Sequence, residues 1–229
     1  MVNLFSRTRT RLKELLKEND IKTFHADQIF KWIYKKNILS FGEMSDISKK
    51  ERDNLTGLFF FEQPQITELQ KSTDGTIKFR IRLKDALSIE AVFIPDEKRR
   101  TLCISSQVGC KLGCTFCCTA QMGFNRNLTV YEIVSQYHLI KKYIKKEIFC
   151  EMDEDLLITN IVFMGMGEPL LNCDNVVDAI QILGDDFGLH VSQRKITVST
   201  AGFIPNLQKV MEKGITGLAV SLNSSSDEI

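Results

Sequence analysis

The 229-residue sequence is short of several things, and each shortage removes a class of protein. It has no run of eighteen or more apolar residues, so no membrane-spanning helix is expected. Its first nineteen residues, MVNLFSRTRTRLKELLKEN, hold no apolar stretch of the kind a secretory signal needs, and a cytoplasmic protein is the expectation. Net charge is scarce, at +1. The imbalance that exists is internal: residues 1–100 carry 20 Lys and Arg against 15 Asp and Glu, and residues 101–229 carry 10 against 14. A mildly basic first part is compatible with a nucleic-acid partner without demanding one. Seven cysteines cannot all pair, and in a chain read as cytoplasmic they suggest metal ligands or reactive thiols rather than disulfides. What remains, 43% hydrophobic and 26% charged, is the composition of a globular protein.

Hydrophobic spacing divides the chain into three parts. Residues 1–62 read as helices: Leu12, Leu15 and Leu16 recur at helical spacing, Ile29, Trp32 and Ile33 share a face, and Ser48 is placed to cap a third helix. No cluster of catalytic side chains occurs there, and His25 reads as structural or exposed. Residues 63–96 alternate as strands, with Asp74-Gly75 as hairpin turn chemistry, and predict a small antiparallel sheet. Residues 97–229 alternate strand and helix: TLCISS, ITNIVFMG, KITVST and TGLAVSLN are strands, separated by three amphipathic helices. That rhythm predicts an α/β fold with a parallel sheet, whose functional groups gather at the C-terminal ends of the strands.

Every unusual motif of the third part falls at such an end. After the first strand, GCKLGCTFCCTA sets Cys110, Cys114 and Cys117 in a C-x3-C-x2-C loop, with Gly109 and Gly113 relieving backbone crowding. Three thiolates on one loop suit three corners of a 4Fe–4S cluster whose fourth iron stays open. Zinc is the alternative and would require a fourth ligand, from Cys118 or elsewhere. After the second strand comes GMGEP, in which Gly167 lets a ligand approach the backbone and Glu168 can accept hydrogen bonds from an ammonium group. Ser199 ends the third strand, and Ser221, Leu222 and Asn223 end the fourth.

With these motifs in place, FHADQIFKWIY, STDGTIKFRI, TLCISSQVGCKLGCTFCCTAQMGFNRNL and MGMGEPLLN together resemble the RlmN family of radical S-adenosylmethionine (SAM) enzymes, over essentially the whole chain. The resemblance implies a partial radical-SAM barrel behind a helical RNA-docking domain. It also implies methylation at C2 of an adenosine in 23S rRNA and tRNA, with one 4Fe–4S cluster, SAM and an electron donor such as flavodoxin, in a monomer. A sister group acting at adenine C8 shares the layout. Carried over by position, Cys110, Cys114 and Cys117 would ligate the cluster. Gly167, Glu168, Ser199 and the Ser221–Asn223 segment would hold SAM. Cys103 would resolve a covalent RNA–protein intermediate built through a methylated second cysteine, and Glu90 would accept a proton. Glu90 sits between Ile89 and Ala91, an apolar setting that suits a base.

Three features depart from the family pattern. The chain stops at Ile229 after four strands, where the barrel has six and a methyl-accepting cysteine follows, so the chain alone is expected to have little or no methyl-transfer activity. Asn223 stands where histidine is usual, and Cys118 where serine is usual. Outside the enzyme reading, a non-catalytic RNA-binding or zinc-binding protein would share the basic first part and the cysteines.

Overall fold

A computed structural model of the chain describes residues 1–212 and 217–222. The first part is helical, as its leucine and isoleucine spacing dictates. A short strand β1 (Val2–Asn3) leads into α1 (Arg9–Glu18), α2 (His25–Phe30) and α3 (Lys49–Leu58), and β2 (Phe59–Phe60) returns to pair with β1. Thr8 and Ser48 cap α1 and α3, their side-chain oxygens accepting from the backbone N–H of Arg11 and Glu51. Leu12, Leu16, Ile29 and Ile33 are buried. Trp32 is only half-buried and donates its ring N–H to Asp46, because α2 runs on as a wider π turn that changes the spacing over Lys31–Lys35. His25 is structural: it is buried, with Nδ1 2.6 Å from the Gln28 side chain.

The remaining elements are β3 (Gln65–Lys71), β4 (Ile77–Arg82), β5 (Ser88–Pro95), β6 (Arg100–Cys103), β7 (Gln107–Gly109), α4 (Cys118–Gln121), β8 (Phe124–Asn127), α5 (Val130–Glu147), β9 (Asn160–Phe163), α6 (Cys173–Leu183), β10 (Ile196–Thr200), α7 (Ile204–Glu212) and β11 (Gly217–Val220). Seven strands form one sheet in the order β11-β10-β9-β6-β5-β4-β3. From β6 to β11 neighbours are parallel, with α5, α6 and α7 as the connections. From β6 back to β3 they are antiparallel. The hairpin that the sequence sets apart at residues 63–96 is therefore continuous with the parallel strands, because β5 pairs with β6 through Val92↔Cys103 and Phe93↔Leu102.

The two faces of this sheet differ in chemistry. Phe79, Phe93, Leu102, Ile161, Phe163, Ile196 and Val198 are all buried and alternate along their strands. Phe79 packs edge-on against Tyr143 of α5, which identifies this as the helix-covered face. The other face carries Lys78, Arg80, Glu90, Cys103, Thr197 and Ser199, related strand to strand by the registers Arg80↔Glu90, Val92↔Cys103, Cys103↔Val162 and Val162↔Thr197. Among the described residues, no helix is long and apolar enough to cross a membrane.

Candidate active site

The cysteine loop stands on a small ribbon of its own. β7 and β8 pair antiparallel, with a register shift between Val108 and Gly109. Gly109 is at φ +76°, and a Cβ there would lie 1.7 Å from the carbonyl oxygen of Gly123, so only glycine closes this crossing. Cys110 N–H donates to that same carbonyl at 3.2 Å, fixing the start of the loop, and Cys117 N–H donates to Cys114 C=O at 3.1 Å, turning its end. At the base of the ribbon Arg126 forks onto Glu132, at 2.9 and 2.8 Å, and reaches Asp85 with its Nε at 2.8 Å. Glu132 is buried and also accepts from the Thr129 N–H, closing the capping box that starts α5. The two carboxylates raise the Arg126 pKa, so the guanidinium stays charged.

The glycine-rich turn after β9 is held by groups from the segment after β6. Ser105 donates its hydroxyl to the Glu90 carbonyl at 2.5 Å and accepts from Met166 N–H at 2.9 Å. Gln136 of α5 brackets Ser105, accepting from its N–H at 2.8 Å and donating to its carbonyl at 2.9 Å. Gln107, fully buried, accepts from Glu168 N–H at 3.0 Å and donates to Asn127 at 2.7 Å. Gly167, at φ +96°, lies so close to Gln107 that a Cβ would come within 2.4 Å of that side chain. Asn172 donates to the carbonyls of Ser106 and Leu128, both at 2.8 Å.

Glu168 is buried, and its two oxygens accept from the backbone N–H groups of Leu170 (3.0 Å) and Ala201 (2.9 Å). It thus ties the end of β9 to the end of β10 across two loops. A carboxylate has about four acceptor positions, so capacity for a ligand donor remains. Ser199 is half-buried on the open face of β10, and Ser221 and Leu222 are exposed beyond β11. Asn223 lies outside the described residues.

Glu90 corrects an expectation. Its apolar sequence neighbours Ile89 and Ala91 point to the helix-covered face, while Glu90 projects the other way, as alternation along a strand requires. Its side chain is 47% exposed and forms an ion pair with Lys78 at 3.1 Å. Glu90 lines a cleft of about 500 Å³, together with Lys78, Arg80, Met166 and the Cys118, Thr119 and Met122 edge of α4. Cys103, on the same face, is 8% exposed, and burial pushes its thiol up to about 11, against a smaller opposing effect of the Met164 backbone.

Among the described residues, no three Cys, His, Asp or Glu side chains are grouped tightly enough to hold a metal ion. Cys110, Cys114 and Cys117 share one loop as free, half-buried thiols without closing on a common point. The donor set suits a cluster better than zinc. It offers three thiols, while the fourth cysteine of the loop, Cys118, is exposed and turned into the Glu90 cleft.

The family model for the ribosomal RNA large subunit methyltransferase N-terminal domain (RlmN_N) matches residues 2–60. That for the radical SAM superfamily matches residues 104–229. The chain belongs to the RlmN family of radical SAM enzymes. Among solved structures, it is similar to a radical SAM methyltransferase from Sphaerobacter thermophilus, with 33% sequence identity and a TM-score of 0.86. The likeness covers 100% of this chain and 65% of that one. A partial radical-SAM fold with parallel strands behind a small N-terminal helical part, the reading of the sequence, is what this family membership and the sheet topology bear out.

Sequence reasoning named the polar rim and missed what holds it. Ser105, Gln107, Gln136, Asn172 and the Arg126–Glu132 pair make no motif with one another by spacing. Their sequence signals are the Thr129-x-x-Glu132 capping pattern and the run Ser105-Ser106-Gln107, three polar residues where a strand enters the core, all three buried.

Proposed function

We propose that the chain carries the site of an RNA adenine methyltransferase that acts at C2 of an adenosine in ribosomal and transfer RNA. The observation that carries this reading is the cleft beside the cysteine ribbon. It is about 500 Å³, within the size range of small-ligand sites, and combines two carboxylates, Glu68 and Glu90, the two cationic side chains paired with them, and the α4 edge of the cysteine loop. Cys110, Cys114 and Cys117 would hold the 4Fe–4S cluster, and Gly167, Glu168, Ser199 and the segment from Ser221 would hold SAM. Cluster and SAM, when bound, would supply a radical able to take a hydrogen atom from an unactivated C–H bond.

The chain's own residues have separate tasks. Glu90, with its carboxylate steadied by Lys78, would take the proton that adenine C2 gives up. Lys78 and Arg80 lie in the same cleft, paired with Glu90 at 3.1 Å and Glu68 at 3.4 Å, and would exchange those partners for phosphate when RNA binds. Cys103 is protonated at neutral pH, so it must lose its proton before its sulfur can attack a covalent RNA–protein bond. Gly167 packs directly on the buried Gln107 side chain, which fixes the turn that would hold the cofactor. Residues 1–62 would dock the RNA, residues 63–96 would present Glu90, and residues 97–229 would hold cluster and cofactor.

Anaerobic reconstitution followed by nucleoside analysis tests this. Expected are four iron and four sulfide per chain and an electron-paramagnetic signal altered by SAM, with 2-methyladenosine as the nucleoside that appears wherever any methyl transfer to transfer or ribosomal RNA is detected. One zinc and no chromophore, or methyl on C8 or an exocyclic nitrogen, overturns it.

A further inference from the structure

A second cleft lies where the helical domain meets α5, among residues with no part in the chemistry above. Two adjoining hollows, of about 210 and 250 Å³, share Tyr34, Lys141, Glu154 and Leu189. Tyr34 and His138 line the first, and both rings stand edge-on to Phe5, with centroids 5.8 and 5.5 Å away. Tyr34 is 4% exposed and His138 5%. The Tyr34 hydroxyl and the His138 Nε2 are both buried without a hydrogen-bond partner. Two residues of one hollow that each hold an unsatisfied, buried polar atom are unusual, because native cores pair such groups or leave room beside them for a ligand that does. Burial, with Lys142 and Lys141 adding to it, lowers the His138 pKa to about 4, so the imidazole is neutral and able to give or take an uncharged hydrogen bond.

The rim is cationic. Lys141, Lys142, Lys145 and Lys146 all line the first hollow. Their spacing of one, three and four residues puts them on neighbouring turns of one helix face. Lys141 pairs with Glu154 at 3.3 Å, Lys145 donates to the Met152 carbonyl at 2.7 Å, and Lys146 pairs with Glu147. Lys142 has no partner among the described residues. Glu154 is the one carboxylate lining the first hollow, and Asp153 joins it in the second.

We propose that this cleft binds a nucleotide, with the base against Tyr34, His138 and Leu189 and the phosphate on Lys142 and its neighbours. The arrangement calls for a flat apolar body, a hydrogen-bonding edge and an anionic end together. A free phosphate has no use for the Tyr34–His138 floor, and an apolar ligand has none for the lysines. The nucleotide comes from one of two sources, an unpaired residue of a bound RNA or a free nucleotide, and the chemistry of the cleft is the same for both.

Equilibrium binding of the 229-residue chain to AMP and to a short single-stranded oligoadenylate at low salt tests this, and it needs neither cluster nor methyl transfer. Expected is saturable binding that Lys142→Glu weakens by roughly tenfold or more. Tyr34→Phe should weaken it several-fold while leaving the melting temperature unchanged or higher, since only an unpaired hydroxyl is lost. Tighter binding of the oligoadenylate assigns the site to RNA, and tighter binding of AMP to a free nucleotide. Absence of binding by both probes, binding indifferent to both substitutions, or inorganic phosphate displacing AMP as well as AMP itself overturns the proposal.

Discussion

Ser105 and Glu90 are joined by a 2.5 Å hydrogen bond from the serine hydroxyl to the glutamate main-chain carbonyl, and the same hydroxyl accepts from Met166 N–H. One small side chain thus couples the strand that carries the carboxylate to the turn assigned to the cofactor. Ser105→Ala is expected to cost about 1–3 kcal/mol, because it leaves the buried Met166 N–H unpaired and removes the donor to the Glu90 carbonyl. Urea unfolding of the cluster-free chain measures it. A change within error would mean that the turn is held elsewhere.

Gly109→Ala is expected to abolish cluster assembly while the helical domain stays folded. The added methyl has to displace the Gly123 carbonyl, which is backbone and cannot swing aside. Iron per chain after reconstitution is the readout, with circular dichroism as the control for helix content. Normal iron loading would show that the ribbon under the thiols is dispensable.

Arg126→Gln removes the cation from a carboxylate that is 1% exposed. The loss is expected to be about 3–5 kcal/mol, the range for breaking a buried ion pair by deleting one partner. Arg126→Gln with Glu132→Gln should recover much of it. A double variant as unstable as the single one would place the cost in packing rather than charge.

The Cys103 thiol, pushed up to about 11 by burial, gives a pH dependence with a definite sign. Its stabilising effect is complete below the ordinary thiol pKa of about 8.5 and is lost as pH rises towards 11, because the unfolded chain ionises first. The unfolding free energy should therefore fall across that window, and less so in Cys103→Ser. Alkylation of Cys103, followed by peptide mass spectrometry, should lag far behind that of exposed Cys118 at pH 8 and catch up only in strong base. Equal rates at pH 8 would contradict the burial.

How far the sequence reaches follows from the physics of each feature. Strands such as TIKFRI and KITVST announce themselves because alternation is a local property, and the capping role of Ser48 is equally local. The cysteine spacing and GMGEP are legible because close backbone approach and thiol ligation restrict residue type at fixed intervals. The surroundings of Glu90 are not local in sequence, because a strand's sequence neighbours lie on its opposite face and its ion-pair partner Lys78 comes from the adjacent strand β4. Gln107 beneath Gly167, and Arg126 on Asp85, join residues 60 and 41 positions apart. No spacing rule anticipates such pairs.

Because β5 and β6 share an unbroken antiparallel register, Glu90 and Cys103 cannot drift relative to one another. Their separation is counted in residues, as on a ruler. An insertion or deletion of one residue within Ser88–Pro95 would turn every side chain beyond it to the opposite face and send the carboxylate into the aromatic core. The turns at Leu83–Leu87 and Asp96–Arg99 can absorb changes of length; the strand between them cannot. Variation in this protein should therefore collect in those two loops and spare the strand's length.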